Sequence, residues 1–573
     1  MIVLLAQLVA PPVQVGPVRL PGPAAGEQRP VQTDRPAAPQ PEIEAEPAFV
    51  RPAAGQQEPP VPTRVRVRPD EPVPHEAPLP RIEGELPYKP EELGRILAPC
   101  RRLVNPNERL NACAAALNAR LVTQGYVNTR VYVSGTPEAA GLRVVEGRIV
   151  ELRVSGSDER LNRRVRRLLA PLQGEVLSLS RVERQLQLLR RQPGVGTVRG
   201  NLSRLGSDPS QAVLLVNVSP GNHPWQGDFS LRNDGSNGSG EFRGVGTLVK
   251  PSLALPGDTL LLYGEVNGTE QAEFGSLISS LSYTVPLDDR LNVTAALGYS
   301  RRNLVELASP ANGFSTSQYQ GLGQLEWSLK ETLSNRWSLF AAYSGNRVNT
   351  YFRDQALPDV VPEVVRRPSS GYLRLGISGS GLSDRLGWSG NAFLLQGVSA
   401  AVPQQQRQEL AEIGVDPSQA RAIGGLISLA WGFAPSWQLN LRASGQLAFQ
   451  PLLSSMQFSL GSDVGLRGLP GQLISGDNGL LGSAETVWTF WRSRQHALQL
   501  VPFLGAGHVS SNVDGVRISD DVGSGGALVR WLAGENWSTE LGWVSPFSTS
   551  NNSGPWSDWL LGNGLYLRLG YRF

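Results

Sequence analysis

Four histidines, two cysteines and one arginine set between glycines are the residues whose types and spacing could do chemistry in this chain. His75 falls in a proline-rich segment, His223 ahead of a strand and His496 in a short turn. Only His508 has loop acids such as Asp514 nearby, and no serine is indicated as its partner. Nucleophilic hydrolysis therefore lacks its constellation of nucleophile, base and orienting group. Cys100 and Cys113 stand thirteen apart with no CxxC and no Cys/His cluster, which argues against zinc. In an oxidising compartment the two could close a short loop and add about 2–3 kcal/mol. In a reducing one they would be small buried hydrophobes. No GxxxxGK[ST] stretch is present to cradle a nucleotide. No catalytic residue, metal or cofactor is expected. What remains is VGLRGLPG, residues 464–471, a fixed positive charge between glycines in a stretch that is neither helix nor strand.

The elements that must position that arginine are read from composition and period. A chain of 573 residues suggests several domains, and a net charge of +3 argues against nucleic-acid binding. Charged residues are 18% of the chain beside 63 Gly and 44 Pro, a mix that fits many turns and few long surface helices. The only lysines are Lys89, Lys250 and Lys330. That excess of arginine reflects either codon usage or a preference for guanidinium in partly dry places.

Residues 1–10, MIVLLAQLVA, have the length of a truncated signal segment but lack a positive n-region. No run of about 18 apolar residues occurs, so a membrane span would have to be built from strands. Residues 11–80 are a proline-dense disordered spacer, read as a plain linker before a partner-binding motif.

From residue 81 the period becomes helical. PEELGRILAPC and NERLNACAAALNARLVTQG predict helices, and YVNTRVYV and LRVVEGRIVELRVSG predict strands. The pattern then repeats with the basic helix ERLNRRVRRLLAPL, read as a solvated face before an acidic-partner site. SRVERQLQLLRRQPG follows, capped by Ser180 with Glu183 three residues on, and then come two strands. Two α+β modules are expected, at 81–149 and 150–219.

From 224 to 573 the period is two. In QLNLRASGQLAFQ, Leu439, Leu441, Ala443, Leu447 and Phe449 share one face, with Gln438, Asn440, Arg442 and Gln446 on the other. LYLRLGYRF repeats this, setting Arg568 and Arg572 opposite Leu565, Leu567, Leu569, Tyr571 and Phe573. A soluble sandwich also alternates, so connector lengths decide. Short turns at LPGD, PLDD, KETLSN, GLSDR, APSW, SRQH and AGEN alternate with longer links near 302–316, 347–369, 399–420, 451–478, 509–521 and 547–563. That rhythm predicts an all-β, antiparallel transmembrane barrel of sixteen strands of about ten residues, with aromatic girdles. VGLRGLPG falls in the long link after the eleventh strand.

At these residues the sequence resembles the two-partner secretion transporters (TpsB-type, ShlB/FhaC/HecB-like) of the Omp85 superfamily. GYVNTRVYV with LRVVEGRIVELRVSG resembles the junction of their two POTRA domains. FSLGSDVGLRGLPG with GDNGLLGSAETVW resembles their sixth-loop signature and the strand that follows. The terminal GYRF resembles their barrel-assembly signal, ending at Phe573. The likeness covers about residues 81–573.

The resemblance implies an outer-membrane translocator with periplasmic POTRA domains. Such a protein recognises an unfolded exoprotein of haemolysin or adhesin type and exports it through the barrel. Outer-membrane lipid and the barrel-assembly machinery are implied as further partners. It also implies that loop 6, about 451–478, folds into the lumen through Leu466, Arg467, Gly468 and Leu469, flanked by Gly461, Gly476, Asp477 and Gly479. Two departures matter. Leu469 stands where the family has a ring, and Gly505 in FLGAG stands where it has the acid that meets the arginine. Alternation turns Glu540 inward, opposite Trp537, Thr539, Leu541 and Trp543. It likewise groups Glu485 with Ser483, Val487 and Thr489. Glu540 is the expected partner of Arg467, Glu485 the second choice, and a water-solvated arginine the alternative. Inward Arg442, Arg568 and Arg572 would line a polar path. The rival readings are an Omp85-type insertase, for which two POTRA domains are few, and a passive porin, which leaves 81–219 unexplained. An outer-membrane hydrolase is the third.

Overall fold

A computed structural model describes residues 77–135, 140–192, 194–206, 208–221, 224–513, 516–548 and 554–573. The expected signal segment, nearly all of the spacer, and His75, His223 and Asp514 lie outside them. The chain divides into two compact units, one ending at Asn222 and the other running from His223 to Phe573.

The first unit holds two small α/β modules. In the first, helices Pro90–Arg101 and Pro106–Thr123 cover a sheet in which Gly141–Val145 lies between Ile82–Glu83 and Arg130–Ser134. Both helices begin with proline, whose fixed φ and missing N–H suit a first helical turn. Leu97, Leu117, Leu121 and Leu142 are fully buried between helices and sheet. Cys100 and Cys113 form a disulfide between the helices, their Cα atoms 5.3 Å apart.

The second module repeats the plan. Gln211–Pro220 lies between Arg148–Ser155 and Val195–Arg204, under helices Glu159–Leu169 and Leu179–Arg190. Arg148–Ser155 spans the expected 149/150 boundary, and its pairing places it wholly in the second module. Ser180 does not cap the last helix. The cap position is Ser178, without a side-chain hydrogen bond, and Ser180 lies inside the helix. The first helix is capped by Asp158, whose carboxylate accepts from the N–H groups of Arg160 and Leu161.

Among the described residues of the second unit, sixteen antiparallel strands close into a barrel. The strands used below are the first (Gln226–Arg232), second (Phe242–Pro251), third (Thr259–Gly268), sixth (Phe314–Glu331) and seventh (Asn335–Phe352). The eleventh to fourteenth are Trp437–Ala448, Asn478–Arg492, His496–Val513 and Val516–Ala533. The last two are Trp537–Ser548 and Leu565–Arg572. Sequential hairpins make all pairings but one, in which the last strand meets the first and removes any free edge.

Lengths run from 7 to 18 residues rather than about ten. The expected link at 509–521 is in fact ladder, because the thirteenth and fourteenth strands stay paired out to Val513 and Val516. The seventh strand likewise runs to Phe352, through the start of the link expected at 347–369. Leu297, Leu441, Leu541 and Trp543 are exposed on the outer face. On the short-turn rim Trp431, Phe433, Trp437, Trp488 and Phe490 form one continuous run of ring contacts. At an interface the tryptophans present an apolar body with a polar N–H edge, and the phenylalanines extend the apolar surface.

Candidate functional site

The link from Phe449 to Asp477 turns into the barrel. Its tip is held by its own backbone, with Ser462 N–H donating to Pro470 O at 2.9 Å, Asp463 N–H to Gly471 O at 2.9 Å and Leu466 N–H to Gly461 O at 3.1 Å. Gly465 and Gly468 sit at φ +112° and +82°, left-handed positions that favour glycine. A Cβ at Gly468 would also lie 1.9 Å from Val544 Cγ1 on the wall. The flanks fasten the base of the loop. Gly479 leaves room for the Phe458 ring, and the buried Asp477 carboxylate accepts from Leu452 N–H at 3.3 Å and Gln457 Nε2 at 3.0 Å. Gly476 packs on Val509, and Gly461 lies against the Gly471 carbonyl.

An apolar patch on the inner wall receives the tip. Leu460, Leu466 and Leu469 are fully buried against Val487, Val501, Phe503, Val522, Leu528 and Val544. Each buried leucine contributes about 1.5–3 kcal/mol, so burial docks the loop and charge fixes its register.

The charge is Arg467. Its Nη1 donates to Glu540 Oε2 at 2.6 Å and its Nε to Glu485 Oε1 at 2.9 Å. Glu540 also accepts from Arg530 Nε at 2.6 Å. Two guanidinium groups and two carboxylates thus form a neutral cluster, the arrangement in which buried charge is tolerated. Tyr566 lies beside it, its hydroxyl 3.4 Å from Arg467 Nη1 and its ring 5.6 Å from the guanidinium carbon. Ser524 Oγ donates to the Arg467 carbonyl.

Gly505 is explained by packing. A Cβ there would lie 2.8 Å from Leu466 Cδ2, so the leucine of this chain's tetrad occupies the space an acid would need. The carboxylates come instead from the twelfth and fifteenth strands. The ring missing at Leu469 has a counterpart in Tyr566 on the sixteenth.

The remaining sequence candidates are placed differently. Arg442 lies along the tip, its Cδ 2.9 Å from where a Gly465 Cβ would be, and Arg568 sits in register with Glu540. Arg442 thus meets loop 6 inside the barrel rather than an open path. Arg572 is exposed at the end of the last strand, opposite Asp228. Phe573 is half exposed beside Tyr571, and its backbone exchanges two 3.0 Å hydrogen bonds with Gly227. His508 pairs with Asp521 at 2.8 Å. Among the described residues no group of His, Cys, Asp and Glu could hold a metal.

Sequence reading missed Arg530, Ser524 and Tyr566. Arg530 was accessible to it, because it lies in register with Glu540 and alternates with outward Val529 and Trp531. Tyr566 likewise alternates with outward Leu565 and Leu567, whereas Ser524 carries no comparable signal, since polar residues of ordinary type line much of the inner face.

A sixteen-stranded barrel with a loop anchored inside it, encoded after two α/β modules, is the architecture of an outer-membrane-type barrel with an occupied lumen. The family described as haemolysin secretion/activation protein ShlB/FhaC/HecB matches residues 210–526, and the chain belongs to it. Outer membrane transporter CdiB of Escherichia coli is 23% identical over 503 residues, covering 84% of this chain and 79% of that protein. The CdiB of Dickeya dadantii is 21% identical over 418 residues, covering 72% and 70%. Among solved structures, CdiB from Escherichia coli superposes with TM-score 0.62 at 17% identity, covering 89% of this chain and 93% of that one. BamA from Haemophilus ducreyi, lacking POTRA domains 1–3, gives 0.51 at 14% identity, with 87% and 100% covered. The barrel is an outer-membrane barrel, and POTRA domains of this family are periplasmic.

Proposed function

We propose that this two-partner secretion protein exports an unfolded exoprotein of the haemolysin or adhesin class, without catalysing a covalent step. The observation that carries the reading is the tip Gly461–Gly471 docked in the lumen on an apolar patch and a neutral charge cluster. Such a plug suits a pore that must stay shut between passengers.

The POTRA edges support the recognition step. Arg130–Ser134 and Val195–Arg204 are outer strands of their sheets, and Tyr132 and Val133 are exposed on the first of them. An extended segment can pair with such an edge through its backbone, which needs little side-chain code. The passenger then displaces the tip and passes between inward polar side chains, and folding outside draws it forward. Membrane lipid meets the outer apolar face, and the barrel-assembly machinery meets the strand ending at Phe573.

The test is to delete the chain and follow a large, signal-bearing protein encoded beside it. Export is expected to fail, with the passenger held or degraded in the periplasm. Unchanged passenger in the medium refutes the reading. Loss of unrelated outer-membrane barrels would instead identify an insertase.

A further inference from the structure

The pairing that closes the barrel is a short one. The last strand meets the first over Arg568–Arg572 and Asp228–Arg232, with two further backbone bonds between Phe573 and Gly227, whereas the sixth and seventh pair from Phe314–Phe352 down to Glu331–Arg336. Where this ladder stops, a side chain continues it. The Asn233 amide, 1% exposed, accepts from Leu567 N–H at 2.8 Å and donates to Leu565 O at 2.7 Å.

Loop 6 carries a second charge on the same rigid tip. Asp463 Oδ1 accepts from Arg243 Nη1 at 2.5 Å, and Arg243 Nη2 donates to Glu265 Oε2 at 2.7 Å. Arg243 and Glu265 are 6% and 5% exposed, on the second and third strands. Glu265 also accepts from Asn267 Nδ2 at 3.1 Å and from the Tyr263 hydroxyl. Beside this contact Gly471 N–H donates to Gly235 O at 2.7 Å, tying the tip backbone to the link after the first strand.

The tip is therefore held by charges of opposite sign on two sides of one seam. Arg467 reaches acids on the twelfth and fifteenth strands, and Asp463 reaches a base on the second. We propose that Asp463, Arg243 and Glu265 form a second anchor that makes loop 6 a brace across the seam between the last and first strands. With the tip in place the seam is clamped from both flanks. Releasing the Asp463 side leaves the loop tied to the first-strand flank by the Gly471–Gly235 hydrogen bond alone, and the seam held by its short ladder, the Phe573–Gly227 bonds and Asn233. The brace rests on these contacts and not on the export reading, so the two fail separately.

Hydrogen exchange on the full chain in detergent micelles tests it, comparing wild type with Asp463→Asn. A local opening energy sets the exchange of the amides it covers. Peptides spanning 226–233 and 565–573 are expected to exchange about tenfold faster in the variant, with the sixth and seventh strands unchanged. Unchanged seam exchange overturns the proposal, as does an equal rise in every strand. If Asp463→Asn yields no folded barrel, Asp463→Glu keeps the charge but displaces it by a methylene. It should show the same seam-confined rise at smaller amplitude, and a uniform or absent rise overturns the proposal there too.

Discussion

Removing Glu540 and removing Arg467 differ, because Glu540 also holds Arg530. Arg467→Ala leaves Glu540 with Arg530 still bound, whereas Glu540→Ala takes the carboxylate from Arg530 and leaves Arg467 with Glu485 alone. Breaking a buried pair from one side typically costs about 3–5 kcal/mol. Urea unfolding in micelles should therefore show the larger loss for Glu540→Ala. The double variant should depart from additivity by about 0.5–3 kcal/mol, and simple addition would mean that the residues do not act as a unit. At Gly505 the expectation is steric. Gly505→Asp collides with Leu466 and lowers the unfolding midpoint, and adding Leu466→Ala should recover part of the loss. Glu540 and Glu485 were legible as inward acids from alternation alone. The reason for Gly505 was not, because it lies in the shape of a leucine contributed from another part of the chain.

Elements were legible in proportion to their periodicity. The helices at Pro90–Arg101 and Pro106–Thr123 and the strand Trp437–Ala448 follow directly from their apolar spacing. The thirteenth and fourteenth strands run past the expected link because their polar ends pair with each other, and polarity alone does not separate a water-facing strand from a loop. The Ser180 cap failed for a similar reason: Ser178 and Ser180 both suit a cap, and only the backbone selects between them. The disulfide carries a prediction at this scale. Opening the Cys100–Cys113 bridge, which closes a loop over a sequence separation of 13 residues, should destabilise the first POTRA module by about 3 kcal/mol. Proteolysis within 77–145 of the full chain should then begin at lower urea after reduction, and equal resistance would contradict the expectation. On the fifteenth strand Leu541, 52% exposed, faces lipid. Leu541→Arg should cost up to about 2–4 kcal/mol near the bilayer midplane, read as loss of the folded, fast-migrating band on unheated gels.

For the whole molecule, closure into sixteen strands was legible because short and long connections alternate along the chain. The filled interior was legible only through the family resemblance and not from the residues themselves, since docking depends on an apolar patch assembled from several strands far apart in sequence. Val487, Val501, Val522, Leu528 and Val544 each read locally as an ordinary residue of an alternating strand. Together they make a lumen wall that binds loop 6 and leaves Arg467 to set its register. The central claim is that this docked loop belongs to an exporter and controls its passage. The most direct measurement is the fraction of the adjacent signal-bearing passenger found in the medium. It compares cells with wild-type protein, cells with Arg467→Ala and cells with none, at matched outer-membrane abundance. Export is expected to fail without the protein and to fall at least about tenfold in Arg467→Ala, the scale of one lost buried contact. Equal export from all three strains would contradict it.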